Sequence, residues 1–172
     1  MQLDDWSSGI GKHLLKVEDG KTVTGVFRGG LVKFYQHWKN GKSIICPGRE
    51  TCSLCNSTAE EDRKATGRFR INFIVKNNGA PLEAKIFEGG KRVYEQIKLI
   101  NNDVPLETAW VRISRIGTKT NTQWTIAVVP GQGGLVTAED NKNLLKIQLH
   151  DLSLGRDAGE DAGEDYPEGA AV

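Results

Sequence analysis

Three cysteines and one histidine are the side chains of this chain whose type and spacing point most directly to chemistry. His37 is followed after eight residues by Cys46, after five more by Cys52, and after two more by Cys55. A Cys-x-x-Cys pair lets one tight turn present two thiolates to a tetrahedral ion about 2.3 Å away. Asn40-Gly41 is a two-residue hairpin signal that brings His37 and Cys46 to the same end of a ribbon. Pro47, Gly48, Ser53 and Asn56 supply loop chemistry around the thiols. Four N/S ligands would close a structural zinc site, with no open position for catalysis. His37 is the expected fourth ligand; His13, Glu50 or water are the alternatives.

Other chemistries fit less well. A redox Cys-x-x-Cys opens a helix after a strand in a βαβ unit, and that context is missing. A zinc deaminase needs His-x-Glu, but Trp38 and Lys39 follow His37. The glycine-rich stretches lack a Gly-Lys-Ser/Thr ending, and no triad pattern is present. The expectation is therefore a protein that is not an enzyme and has no small-molecule substrate.

The elements that must hold these residues read as mainly β. Residues 21–28 and 31–38 read as strands separated by a bulge or bend at Gly29-Gly30. Residues 57–66 read as a short helix capped by Ser57 or Thr58. In RFRINFIVK (68–76), Phe69, Ile71, Phe73 and Val75 face one way, with Ile74 the exception. Arg68, Arg70, Asn72 and Lys76 face the other, which predicts a half-buried strand with a basic outer face. A further strand leads into a one-faced helix over 91–102, marked by Val93, Ile97 and Ile100. Residues 109–118 and 123–130 form a last hairpin, and NLLKIQLH reads as a short helix or strand. This order predicts a five-stranded OB-type barrel. The zinc insertion, at about 31–67, lies between its first two core strands. One helix lies between the third and fourth. The expected divisions are an arm at 1–20, the barrel domain at 21–150 and an acidic tail at 151–172.

Charge divides the chain in the same way. Residues 151–172 carry seven acids and one base, whereas the remaining 150 carry 22 bases and 15 acids. A basic body suits nucleic acid: single strands are held by cationic grooves with aromatic platforms interleaved. The candidate contacts are Lys33, Phe34, Tyr35, Trp38, Arg68, Arg70, Lys76, Trp110, Arg112 and Lys119. Periodicity alone leaves Phe34, Tyr35, Trp38 and Trp110 open between core and stacking. Asp157, Glu160, Asp161, Glu164, Asp165 and Glu168 make the tail a candidate partner-docking segment. No apolar run approaches the roughly 18–20 residues of a membrane helix. The N-terminus lacks a signal-peptide pattern. The expected place is the cytoplasm.

HW-x-NG-x4-CP-x4-C-x2-C, the basic strand RFRINF and the DAGEDAGED tail resemble the zinc-containing single-stranded-DNA-binding proteins of tailed bacteriophages. The resemblance covers about 20–130 plus the tail. It implies an OB barrel that coats unwound DNA during replication, recombination and repair in an infected bacterial host. It also implies one structural Zn2+ on His37, Cys46, Cys52 and Cys55, and an acidic C-terminus that contacts replication or recombination proteins. The histidine-to-cysteine spacings are tighter than in the best-known member. Asp4-Asp5 stand in the arm where that member carries a basic motif. Two other readings compete: an RNA-binding OB or zinc module, and a zinc-stabilised protein-interaction adaptor.

Overall fold

A computed structural model of the protein describes residues 10–118 and 121–153. Six strands form one antiparallel sheet: β1 (Thr22–Lys39), β2 (Lys42–Ile45), β3 (Ala65–Val75), β4 (Glu83–Gly90), β5 (Val111–Ile116) and β6 (Gln123–Val128). Three helices accompany them: α1 (Glu60–Arg63), α2 (Lys91–Asp103) and α3 (Ala138–Leu144). The sheet runs β4-β3-β1-β5-β6, with β2 paired to β1.

The sheet is built on β1, a single 18-residue strand where the sequence suggested two. The break at Gly29-Gly30 is a bulge within it. The register against β3 shifts between Arg28 and Val32, and Gly29 takes φ 74°. Such a bulge bends a strand without ending it, so β1 pairs with β5 at one end and with β2 and the metal loop at the other. The expected hairpin forms at Asn40 (φ 52°) and Gly41 (φ 73°), with Lys39 opposite Lys42. Two consecutive positive-φ residues suit the twist of a two-residue turn.

The closed barrel expected from the sequence is replaced by an open sheet: no strand pairing joins β4 to β6 among the described residues. A side chain covers one edge and backbone of the N-terminal segment the other. On β6, the Gln96 side chain of α2 donates to the Trp124 carbonyl and accepts from the Ile126 N–H, each at 3.1 Å. It thereby stands in for a neighbouring strand. On β4, the Leu15 N–H donates to the Ile86 carbonyl at 2.8 Å. The Phe87 and Trp124 rings meet edge-on at 5.8 Å between the two edges.

The described part of the expected N-terminal arm is hydrogen-bonded to the sheet. The Gly20 N–H donates to the Arg115 carbonyl, and the Arg115 guanidinium to the Val17 carbonyl, both at 2.9 Å. At the other end, Leu152 is buried.

Phe27, Phe69, Ile71, Phe73 and Phe87 pack beneath Val93 and Ile97 of α2, as the strand alternation and helical period predict. Ile74 joins Val26, Trp110 and Leu144 on the opposite face. β3 is therefore buried on both faces, which corrects the expected basic solvent face. The helix expected over 57–66 shrinks to the single turn Glu60–Arg63. Ala65, Thr66 and Gly67 instead pair with His37, Gln36 and Tyr35. Backbone ladder bonds there override a weak local helix preference.

α3 starts at a capping box. The Asp140 N–H donates to Thr137 Oγ1 at 3.1 Å, and the Thr137 N–H donates back to the Asp140 carboxylate at 3.1 Å. Burial opposes ionisation of Asp140. The Thr137 hydroxyl and amide, Lys76 and Trp110 outweigh it and hold the carboxyl below its ordinary value. A depressed carboxyl stabilises the fold above its unfolded pKa, and that stability is lost as pH falls through the folded value. Thr137→Ala should cost about 1 kcal/mol in urea denaturation at neutral pH. Asp140→Asn should flatten the acid limb of stability against pH. An unchanged acid limb would contradict the role assigned to this box.

Candidate metal centre

The four sequence-predicted ligands come together at the far end of β1. His37 lies on β1, and Cys46 follows β2 directly, its N–H donating to the Tyr35 carbonyl at 2.8 Å. The hairpin thus places these two ligands side by side, as its turn predicts. The next turn is fixed by the Cys52 N–H donating to the Gly48 carbonyl at 2.8 Å. Cys52 and Cys55 then form a knuckle in which the Cys55 N–H points at Cys52 Sγ, 3.5 Å away. The Asn56 amide ties this knuckle down by donating to the carbonyls of Cys52 (3.0 Å) and Arg49 (3.1 Å).

The ligand atoms all lie within 4.8 Å of one another. His37 Nε2 is 3.4 Å from Cys52 Sγ and 3.3 Å from Cys55 Sγ, and Cys46 Sγ is 3.6 Å from Cys55 Sγ. A tetrahedral ion with ordinary metal–sulfur and metal–nitrogen bonds sets its ligand atoms roughly 3.5–3.8 Å apart. The cluster therefore has the dimensions of a single four-coordinate site. All three cysteines are free thiols. Of the alternative fourth ligands, Glu50 is exposed, and His13 stacks on His150 outside the group.

The histidine tautomer follows from its surroundings. His37 is 1% exposed, and its Nδ1 faces the carbonyls of Asp62 (2.9 Å) and Lys64 (3.0 Å). Carbonyls only accept, so Nδ1 carries the proton and Nε2 presents its lone pair to the thiols. Such outer contacts orient a ligating imidazole. α1 supplies them, and it is itself anchored. Lys39 Nζ donates to the Asp62 carboxylate at 2.6 Å and Ser57 Oγ at 3.0 Å, which holds that carboxyl below its ordinary value. Sequence reasoning missed the roles of Asp62 and Lys64. Backbone carbonyls do this work, and they leave no residue-type signal.

The thiols are not equivalent. Burial pushes the Cys55 thiol up to about 11, and the neighbouring Cys46 and Cys52 add to the rise. Burial also opposes ionisation of Cys52. The hydrogen bond from the Cys55 N–H, with those from Cys46 and the Leu54 N–H, outweighs it and leaves Cys52 below its ordinary value. Three thiolates this close would repel one another, and a bound cation would share their charge.

The candidate nucleic-acid residues divide sharply. Tyr35 is 63% exposed, with its ring over Gly67, and Trp38 is 42% exposed. Lys33 is exposed and lies over the Tyr94 ring at 4.2 Å, and Arg112 is exposed. Phe34 and Trp110 are buried, each beneath a cation. Arg70 lies over Phe34 at 4.8 Å and Lys76 over Trp110 at 4.3 Å. Arg70 itself is only 2% exposed, and its Nε donates to Glu88 at 2.8 Å. Arg68 shares the same carboxylate at 3.3 Å. Two of the three cations of the basic stripe expected on β3 thus share one glutamate of β4. Lys119 and the tail acids Asp157, Glu160, Asp161, Glu164, Asp165 and Glu168 lie outside the described residues. Tyr94, beneath Lys33, is a residue the sequence reading did not single out; it is half-buried against the core on one side of α2.

No helix among the described residues is long and apolar enough to cross a membrane. No family model, curated protein or solved structure matches this chain.

Proposed function

We propose that this protein binds single-stranded DNA without sequence preference and without catalysis, and that its metal is zinc. The observation that carries the reading is the row Lys33, Tyr35 and Tyr94 beside the metal knuckle. An exposed ring rests on the sheet over a glycine, and a lysine two residues away lies over a second ring. Lys91 and Arg92 are exposed on the first turn of α2, next to Tyr94, and that turn holds no acid. Aromatic faces accept any base, and cations accept the phosphates between them.

The strand order supports the same reading. Numbering only the core strands β1, β3, β4, β5 and β6, the sheet runs 3-2-1-4-5 with a helix between the third and fourth. That is the connectivity of an OB barrel opened along one seam, and OB folds bind oligonucleotides beside the loop joining their first two strands. Here that loop carries the metal knuckle. Three thiolates and an imidazole in tetrahedral spacing suit zinc over harder cations. In this reading the acidic tail recruits replication or recombination proteins, and the protein works in the cytoplasm of a phage-infected bacterium.

Tyr35→Ala should weaken oligo-dT binding by about 1–3 kcal/mol. Trp38, an even-numbered position on the opposite side of β1, should matter less when changed to Ala. Fluorescence anisotropy with labelled oligo-dT measures both. Unchanged affinity in Tyr35→Ala would remove the platform from the site.

A further inference from the structure

The two ends of the described chain meet on β4 through a pair of histidines. After α3, residues 145–153 cross the outer face of β3 as a strap. Ile147 packs on the outer apolar cluster, and Leu149 lies against Gly29. The backbone of His150 is then held by the buried Asn72 side chain, as a neighbouring strand would be. The His150 N–H donates to Asn72 Oδ1 at 2.9 Å, and Asn72 Nδ2 donates to the His150 carbonyl at 3.0 Å. The His150 ring reaches on to β4, where Nε2–H donates to the Ala84 carbonyl at 2.8 Å. On its other side it meets the His13 ring, with centroids 4.2 Å apart and planes tilted by 31°. His13 ends the short turn Ile10–His13, directly before Leu14 and Leu15, which attach to Ile86.

We infer that His13 and His150 form a proton-sensitive clasp: near neutral pH it holds the N-terminal segment and the C-terminal strap on β4, and in acid it releases both. Two neutral imidazoles stack favourably, whereas two imidazoliums at this distance repel. The surroundings do not relieve that repulsion. Lys12 on the turn and Lys85 on β4 face the pair. Glu83 of β4, which acts on His13 in the opposite sense, is held by Lys85 at 2.6 Å. Asp151, next to His150, is turned onto the N–H and hydroxyl of Ser153. Burial lowers the His13 pKa, His150, Lys12 and Lys85 lower it further, and Glu83 opposes them. A histidine with a depressed folded pKa stabilises the closed form above its unfolded pKa. That stability is lost as pH falls through the folded value. Release of the strap uncovers Asn72 on the outer face of β3, with Arg70 two positions along the same face.

Amide hydrogen exchange on the full chain tests this. The Leu15 N–H (bonded to Ile86) and the His150 N–H (bonded to Asn72) report the two halves of the clasp. After correction for intrinsic exchange, both should lose protection relative to the Phe73 amide between about pH 8 and about pH 5. His13→Phe keeps a ring in place but cannot take a proton, so its protection should stay flat over that range. Equal protection of both amides across the range in the wild type would overturn the inference. So would a loss of the same size in His13→Phe. If that variant fails to fold, the imidazole proton resonances of the wild type decide: mutually dependent titration supports the clasp, and independent titration at ordinary histidine values overturns it.

Discussion

Replacing Cys52 with serine, or stripping the metal with a strong chelator, is expected to unfold residues 31–67 while leaving the packing beneath α2 largely intact. The loop from Cys46 to Lys64 has little core of its own. Cys52 and Leu54 are its buried apolar side chains. Its order rests on turns, on α1 and on the four convergent ligands. Structural zinc supplies roughly 10–16 kcal/mol of apparent binding energy in small zinc domains, and a loop without its own core has nothing to replace it. Losing one of four ligands should cost most of that. The end of β1 should loosen with the loop, because Cys46 bonds the Tyr35 carbonyl and His37 anchors α1. Circular dichroism and amide exchange after chelation measure the effect, and metal analysis of the purified protein gives the stoichiometry. A melting curve unchanged by chelation, with no bound metal, would contradict the site.

The second large effect is expected at Glu88. Its side chain, 8% exposed, is the carboxylate shared by Arg68 and Arg70. Glu88→Gln keeps the shape and removes the charge, leaving the Arg70 guanidinium in the interior beside the Phe34 ring, a neutral amide and the like charge of Arg68. Breaking a buried pair from one side costs about 3–5 kcal/mol, because the remaining charge is uncompensated. The double variant Arg70→Met with Glu88→Leu removes that buried pair, and part of the loss should return, the remainder being the cost of taking Glu88 away from Arg68. Urea denaturation of the single and double variants measures this. A loss below about 1 kcal/mol in Glu88→Gln would mean that the pair behaves as a solvated surface bridge.

That pair also explains where the sequence could and could not be read. The metal cluster was legible because its signal is local: Cys-x-x-Cys, an Asn-Gly turn and a histidine on the hairpin between them. The inner face of β3 was legible from its period, as were Val93 and Ile97 of α2. The outer face of β3 was not. Arginine and asparagine at alternate positions read as solvated, yet Arg70 is satisfied by Glu88 across the sheet and Asn72 by the backbone of His150. Partners 18 and 78 residues away leave no trace in a local pattern. The short α1 fails in the same way, since Ala65–Gly67 are claimed by β1. The open seam between β4 and β6 depends on Gln96 and on Leu14-Leu15, neither of which announces an edge-covering role.

Single-strand binding can be measured by intrinsic tryptophan fluorescence and labelled-oligonucleotide anisotropy during titration with oligo-dT. Duplex DNA and matched RNA serve as competitors, each at several salt concentrations. The account predicts saturable binding to oligo-dT, poor binding to duplex and weaker competition by RNA. The logarithm of affinity should fall with the logarithm of salt, with a slope of about −0.7 per phosphate neutralised. Affinity independent of salt, or binding no stronger for single strands than for duplex, would contradict it.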